Sequence, residues 1–366
     1  MYKDDMTPKQ RLLASIKGQD TDRAAWSPFL AYFWESMPQR VQDEGQLKFL
    51  EGLGADPLLR GSHQLFGVNR KRCRVNEKIH GTERIVTYET PVGELRSKHV
   101  YSPAGNTWFI TDHPVKTEED FKILMYLYED LEITANYDKY LEDCDALGER
   151  GLYLPGIGVD IKTPFQSLVE HWVGTENLVY ALADYPAAVE ECLAVMGEKS
   201  IDSVNISVLS PAEAFIFWED SSTTNISPSL FLKYTAPDIN RWGRIIHDAG
   251  KYLVHHACGH IRALLPLMAN TEIDVIESIS PPPTGNIEIW EARDILPDNI
   301  GIIGGIEPTF FLNCNLDELR PYVENLLDKM GKHRYILANS DSCPPGVAIE
   351  KLRLVTDIVK SRACFK

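Results

Sequence analysis

The chain has 366 residues and no run of about 18 apolar residues, so it offers no membrane-spanning helix. It has no basic run either, and its formal net charge is −16. Binding to nucleic acid draws on clustered Lys and Arg, so no nucleic-acid partner is expected. The opening residues, MYKDDMTPKQ, are charged from the start and do not read as a secretory leader. A disulfide framework is missing too. The seven cysteines (Cys73, Cys144, Cys192, Cys258, Cys314, Cys343 and Cys364) are odd in number and scattered, which suits reduced thiols in a cytoplasmic protein. No Gly-x-Gly-x-x-Gly follows the first strand candidate, which argues against a dinucleotide-binding fold.

What is present is enough apolar material for a large core, 44% of the residues. Thr7 and Pro8 open a helix over 7–19 as N-cap and first helical residue. The run AAWSPFLAYFW (24–34) reads as a buried strand with its loop. Residues 80–111 are rich in β-branched and aromatic residues and broken by TPVG and SPAGN, a small β-rich insertion solvated on one face. Beyond residue 117, short apolar strands alternate with amphipathic helices, which indicates parallel strands. Strand candidates at 24–34, 54–60, 151–157, 214–219, 251–257, 273–277, 300–304 and 334–338 predict an α/β TIM barrel, with 1–366 as a single domain.

The active site of such a barrel lies at the C-terminal ends of its strands. The polar breaks there are Glu219-Asp220, His256-Ala257-Cys258, Glu277, Gly304-Gly305 with Glu307, and the NSDSC segment ending at Cys343. Positions two apart on a strand share a face, so His256 and Cys258 project together and His255 faces the helical layer. Imidazole and thiolate suit zinc, a catalytic zinc takes three protein ligands, and Cys343 is the candidate third. The bland alternative is a His-x-Cys pair that merely packs. Glu219 and Asp220 read as either a working acid pair or a solvated strand end. Phe29, Tyr32, Phe33 and Trp34 either line a pocket or pack in the core.

Three stretches, HHACGHIRALLPLMANTEIDVIE, IGIIGGIEPTFF and YILANSDSCPPGVAIEKLRLV, resemble the uroporphyrinogen decarboxylase superfamily. So does EDSSTTNISPSLFLKYTAPDINRW, where a strand-end acid precedes a helix. The resemblance covers about 120 to 360 and implies a TIM barrel. Decarboxylases of this superfamily grip a polycarboxylate with N-terminal arginines; here PFLAYFWESMPQR carries aromatics instead, which removes the cations that such a substrate requires. The His-x-Cys-Gly at His256 and Cys258, with the downstream Cys343, resembles the zinc-dependent corrinoid methyltransferases of the superfamily.

That resemblance implies zinc held by His256, Cys258 and Cys343, with Glu219 as a catalytic acid or resting ligand. It implies methyl transfer between a small substrate and a corrinoid. The chain has no Asp-x-His-x-x-Gly corrinoid-anchoring motif, so the corrinoid would sit on a separate protein. Tyr32, Trp34 and Trp218, with Asp220 and Glu277, are the expected substrate-binding residues. They favour O-demethylation of a methoxylated aromatic over methylation of a thiol. Porphyrinogen decarboxylation and binding of a tetrapyrrole or corrinoid without turnover are the other readings.

Overall fold

In the computed structural model, residues 4–103 and 106–362 are described; Cys364 lies outside them. Eight parallel strands form one curled sheet: β1 (Ala25–Trp26), β2 (Leu58–Gln64), β3 (Leu152–Gly156), β4 (Ala214–Glu219), β5 (Tyr252–Ala257), β6 (Val275–Ile279), β7 (Gly301–Ile306) and β8 (Tyr335–Asn339). From β2 to β8 each strand pairs with its neighbour in chain order, and β8 returns to pair with β1. β1 and β2 are joined by loop and side-chain bonds instead of a ladder. The Asp56 amide donates to the Trp26 carbonyl (2.7 Å), and the Leu58 amide to the Ser27 hydroxyl (3.0 Å). The result is the expected TIM barrel.

Alternation along the strands sorts the core into two layers. Ala25, Leu58, Leu154, Ile216, Val254, Val275, Ile303 and Ile336 fill the interior. Phe215, Phe217, Leu253, Ile276, Ile302 and Leu337 pack outward against the helices. The first helix, Pro8–Lys17, starts on a capping box between Thr7 and Gln10. It adds Leu12 and Ile16 to the interior cluster and so closes the floor of the barrel. Its Arg11 is fully buried and reaches Asp22 (2.7 Å) and Asp56. Arg23 binds the other side of Asp56 (2.7 Å).

Two expectations need correction. The stretch 24–34 is not one strand: only Ala25–Trp26 pairs, and Ala31–Glu35 is a short helix. Pro28 cannot donate to a ladder, so the extended segment ends there. The insertion is also larger than 80–111. It runs from Phe66 to Ala135, two segments that pair antiparallel as its stem (Phe66–Arg70 with Leu131–Ala135). Beyond the stem lie a four-stranded antiparallel sheet (Arg74–His80, Glu83–Thr90, Gly93–Ser102, Thr107–Asp112) and the helix Glu118–Glu129. A π-helical turn, Phe231–Thr235, runs into the helix Ala236–Asp248 and places Pro237 in its first turn, where its missing N–H costs nothing. No helix among the described residues is long and apolar enough to cross a membrane.

Candidate active site

His256 lies on the interior face of β5, opposite Trp218 of β4 and Glu277 of β6 in the strand register. It is buried, and its Nδ1 stands 3.2 Å from Glu277 Oε2. Glu277 is bound in turn by the Arg60 guanidinium from β2. Burial pushes the Glu277 pKa up, but Arg60 and His256 outweigh it and hold the carboxyl below its usual range. An ionised Glu277 is an acceptor for an Nδ1–H of His256, and Nε2 is the ring nitrogen turned away from it. The His256 ring lies 4.6 Å from the Trp218 ring and 6.0 Å from that of Phe29. Arg60 lies over Phe29 at 5.4 Å.

Phe29, Arg60, Gly61 and Trp218 line a cavity of about 290 Å³ together with Leu50 and Gln46. Gly61 has φ +62°, and a Cβ there would stand 2.9 Å from the indole nitrogen of Trp218. Glycine is thus what lets the indole lie against the β2 backbone.

Cys258 follows β5 and takes its backbone bond from the end of β4, with its amide donating to the Glu219 carbonyl at 3.3 Å. Burial first, then the carboxylates of Asp341, Asp220 and Glu170, push its thiol well above the usual value; Lys162 alone opposes them. Lys162 is already paired with Glu170 (2.7 Å) and donates to the Trp218 carbonyl (2.8 Å). The surroundings of this thiol are therefore net negative and would welcome a cation.

Cys343 sits elsewhere in the same region. It is fully buried. Its amide donates to the Phe29 carbonyl (2.8 Å) and its carbonyl accepts from Phe33 (2.9 Å). Burial pushes its thiol up, and the charge acting on it is that of Lys351, not an acid of the mouth. Among the described residues no group of three or more His, Cys, Asp or Glu side chains stands together as a metal site. His256, Cys258 and Cys343 are thus not gathered into one ligand set. Two residues before Cys343, on the half-exposed turn after β8, Asp341 is the carboxylate that acts on Cys258 and on the Tyr32 hydroxyl.

The remaining expected residues divide between the mouth and the outer layer. Glu219 shares a face of β4 with Phe215 and Phe217, so it is turned to the helical layer and not toward His256. There its Oε1 accepts from the Thr163 amide (3.0 Å) and its Oε2 lies 3.2 Å from His255 Nε2. Burial raises its pKa, but His255 and Thr163 more than offset that, and the carboxyl stays below its usual range. His255 stacks on Phe217 (4.3 Å, 12°), which is where alternation puts it. Asp220 accepts from Asn225 (2.7 Å) and is pushed up by burial and by Glu170. Tyr32 is 40% exposed, and its amide donates to Ser342 (3.1 Å). Trp34 packs on Phe49 (5.7 Å) and not on the cavity residues. Glu277, expected to touch substrate, stands between His256 and Arg60 and is bonded to both.

Arg60, Lys162, Glu170 and Asp341 escaped the sequence reading. Arg60 sits in an apolar run, LLRG, with no motif around it. Asp341 was visible as the acid inside NSDSC but was passed over for the cysteine beside it.

The uroporphyrinogen decarboxylase (URO-D) family profile matches residues 154–362, more than half of the chain. No curated protein sequence matches this chain. Among solved structures, a methyltransferase from Methanosarcina mazei superposes with a TM-score of 0.64 at 14% identity, covering 98% of this chain and 99% of that one. A B12-independent methionine synthase from Shewanella sp. W3-18-1 superposes with a TM-score of 0.44 at 10% identity, over 93% and 95% of the two chains. At such identities the first of these shows a shared fold.

Proposed function

Because the chain belongs to the uroporphyrinogen decarboxylase family, we propose that it is a methyltransferase built on that barrel. It would move a methyl group between a small substrate and a corrinoid carried on a separate protein. The observation that carries this reading is the Arg60–Glu277–His256 relay beside Cys258 at the strand ends. A carboxylate on Nδ1 is the usual support for an imidazole that binds a metal through its other nitrogen. The full-length likeness in fold to the Methanosarcina mazei methyltransferase agrees with it.

The donor set fits zinc in part. His256 offers the ring nitrogen turned away from Glu277, and Cys258 offers a thiol near the carboxylates of Asp341, Asp220 and Glu170. Cys343 is the weaker candidate, because its backbone is tied to Phe29 and Phe33 and the charge acting on its thiol is that of Lys351, not an acid of the mouth. We take Asp341, whose charge acts on Cys258, as the donor that zinc would draw in to complete the set; oxygen ligation of zinc is common. When bound, zinc would supply Lewis acidity to a substrate oxygen or hold a substrate thiol as thiolate.

The chain's own side chains do the rest. Phe29 and Trp218 give the cavity apolar aromatic walls, which bury a planar substrate. Arg60 is committed to Glu277 and so leaves the cavity without a free guanidinium for a polycarboxylate. That disfavours a porphyrinogen and favours a neutral or phenolic methyl ether. Glu219 is bound within the His255 and Thr163 network. Its part is to hold the β4 end, whose carbonyl fixes Cys258.

A panel tests the reading: methoxyarenes, methylamines, methanol, simple thiols and uroporphyrinogen, each with Co(I) or methyl-Co(III) corrinoid. Turnover of a methoxyarene is expected. Turnover of a thiol alone would keep the methyl transfer and overturn the aromatic substrate. Carbon dioxide from the porphyrinogen would overturn the reading entirely.

A further inference from the structure

A second cavity lies between the inserted sheet and the loop that follows β3, and it shares no lining residue with the Phe29–Trp218 cavity. Its volume is about 350 Å³, within the usual range for small-molecule sites, and Arg70, Tyr88, His99, Asp160, His171 and Trp172 line it. The Nε of Arg70 is buried without a hydrogen-bond partner. Among the described residues its guanidinium joins no ion pair. A second arginine stands behind the wall: Arg84 lies 3.0 Å from His99 Nδ1 through its Nη2, and its own Nε is also buried and unpartnered. The lining carboxylate, Asp160, accepts from the Tyr128 hydroxyl instead of an arginine. The rings of Tyr88 and Trp172 stand 5.0 Å apart, centroid to centroid, and give the cavity an aromatic wall.

This concentration of cations is out of keeping with a chain of net charge −16. Arg70 is partly exposed as a residue, but its Nε is shut off from water, and a buried polar atom normally has a partner. The partner that Arg70 lacks is an anion. A planar guanidinium takes a carboxylate or a phosphate through two parallel bonds. The aromatic wall suits a ring attached to that anion.

We propose that this cavity binds a small aromatic anion, its carboxylate or phosphate on Arg70 and its ring against Tyr88 and Trp172. His171 flanks the anion as a second donor. The site is separate from the Phe29–Trp218 cavity, and the proposal does not depend on methyl transfer.

Titration calorimetry on the full chain tests it, with benzoate, phenyl phosphate, acetate and inorganic phosphate as probes. Quenching of tryptophan fluorescence serves as a second readout through Trp172. One benzoate or phenyl phosphate per chain is expected, bound at least tenfold more tightly than acetate or inorganic phosphate. Arg70→Gln should weaken that binding at least tenfold, and His171→Gln should weaken it less. The second variant keeps the test open if the first does not fold. His256→Ala should leave binding unchanged, which separates this site from the barrel mouth. Saturable binding by none of the probes, or equal affinity in Arg70→Gln, would overturn the site. Equal affinity for phosphate and phenyl phosphate would overturn the ring assignment. Loss of benzoate binding in His256→Ala would relocate it to the mouth and overturn the proposal.

Discussion

Glu277 Oε2 lies 3.2 Å from His256 Nδ1, and the two residues are register partners on β6 and β5. The pair is held from behind by Arg60 of β2. Three strands therefore fix one imidazole, and its remaining nitrogen is the one available for chemistry. If that nitrogen binds zinc, Glu277→Gln should weaken zinc binding by about 10–100-fold, the usual cost of losing a carboxylate behind a histidine ligand. Competition with a chelator measures it. His256→Ala should lose the metal. His255→Ala should retain it and melt at lower temperature, because that ring stacks on Phe217 and bonds to Glu219. The opposite pattern would show that the metal, if any, belongs to the outer face of the barrel.

The two candidates for a third ligand give a second test. Asp341→Ala should strip zinc from a three-ligand site, since the loss of one ligand of three leaves an open, weak site. Cys343→Ala should keep zinc and lose about 1–2 kcal/mol of stability, the scale of a small buried side chain removed from packed surroundings. Zinc content by elemental analysis and urea unfolding report the two effects separately. Zinc lost from Cys343→Ala and kept in Asp341→Ala would reverse the assignment.

Asp238 offers a pH test in the helical layer. Burial, with Glu219 and Glu198 adding to it and Arg241 opposing, pushes its pKa up to about 7. A carboxyl with a raised folded-state pKa favours the folded state while protonated. Its contribution is therefore full below about 4 and is lost as pH rises through about 7. Asp238→Asn removes that loss. The variant should gain roughly 1–3 kcal/mol over the wild type at pH 8 and little at pH 4. Melting temperature against pH checks it, and parallel curves for the two proteins would refute it.

At the floor of the barrel, Asp56 joins Arg11 and Arg23 and also accepts from the Trp26 amide (3.0 Å). Asp56→Ala takes the carboxylate that Arg11 and Arg23 share, leaving them only Asp22 and Asp4, and removes the acceptor of the Trp26 amide at the β1–β2 seam. A loss of about 3–5 kcal/mol is expected in urea unfolding. The same network predicts acid sensitivity. Burial pushes Asp22 up, but Arg11 and the amides of Met6 and Arg23 bring it down to about 2. A depressed carboxyl stabilises above its unfolded value near 4 and loses that contribution as pH falls toward 2. In Asp22→Asn the acid-unfolding midpoint should lie closer to neutral pH than in the wild type, and an unchanged midpoint would count against the network.

The barrel was legible in the residues because strand and helix periods are local properties. Apolar runs such as FIFWE and KYLVHH, set between amphipathic helices, needed no knowledge of their partners. Alternation likewise told His255 from His256 before any contact was known. The short β1 was misread as a longer strand because Phe29, Leu30, Tyr32 and Phe33 are as apolar as a strand, and only Pro28 marked the end. The insertion was undersized because its stem, Phe66–Arg70 with Leu131–Ala135, pairs residues about 65 positions apart, and no local pattern carries that information.

The site was decided more fully by tertiary structure. Residue chemistry singled out His256 on β5 and Cys258 just past its end. It had no means of finding Arg60 and Glu277 as the supports of His256, since they come from β2 and β6 and meet only when the sheet closes. Nor does it place Asp341 and Cys343, two residues apart after β8, relative to Cys258. Their directions depend on how that turn is tied to Phe29 and Phe33 across the closing seam. Sequence set the strand faces, because a pleat alternates wherever it lies. Closure of the barrel set which faces meet, because a contact between distant strands exists only in the folded chain.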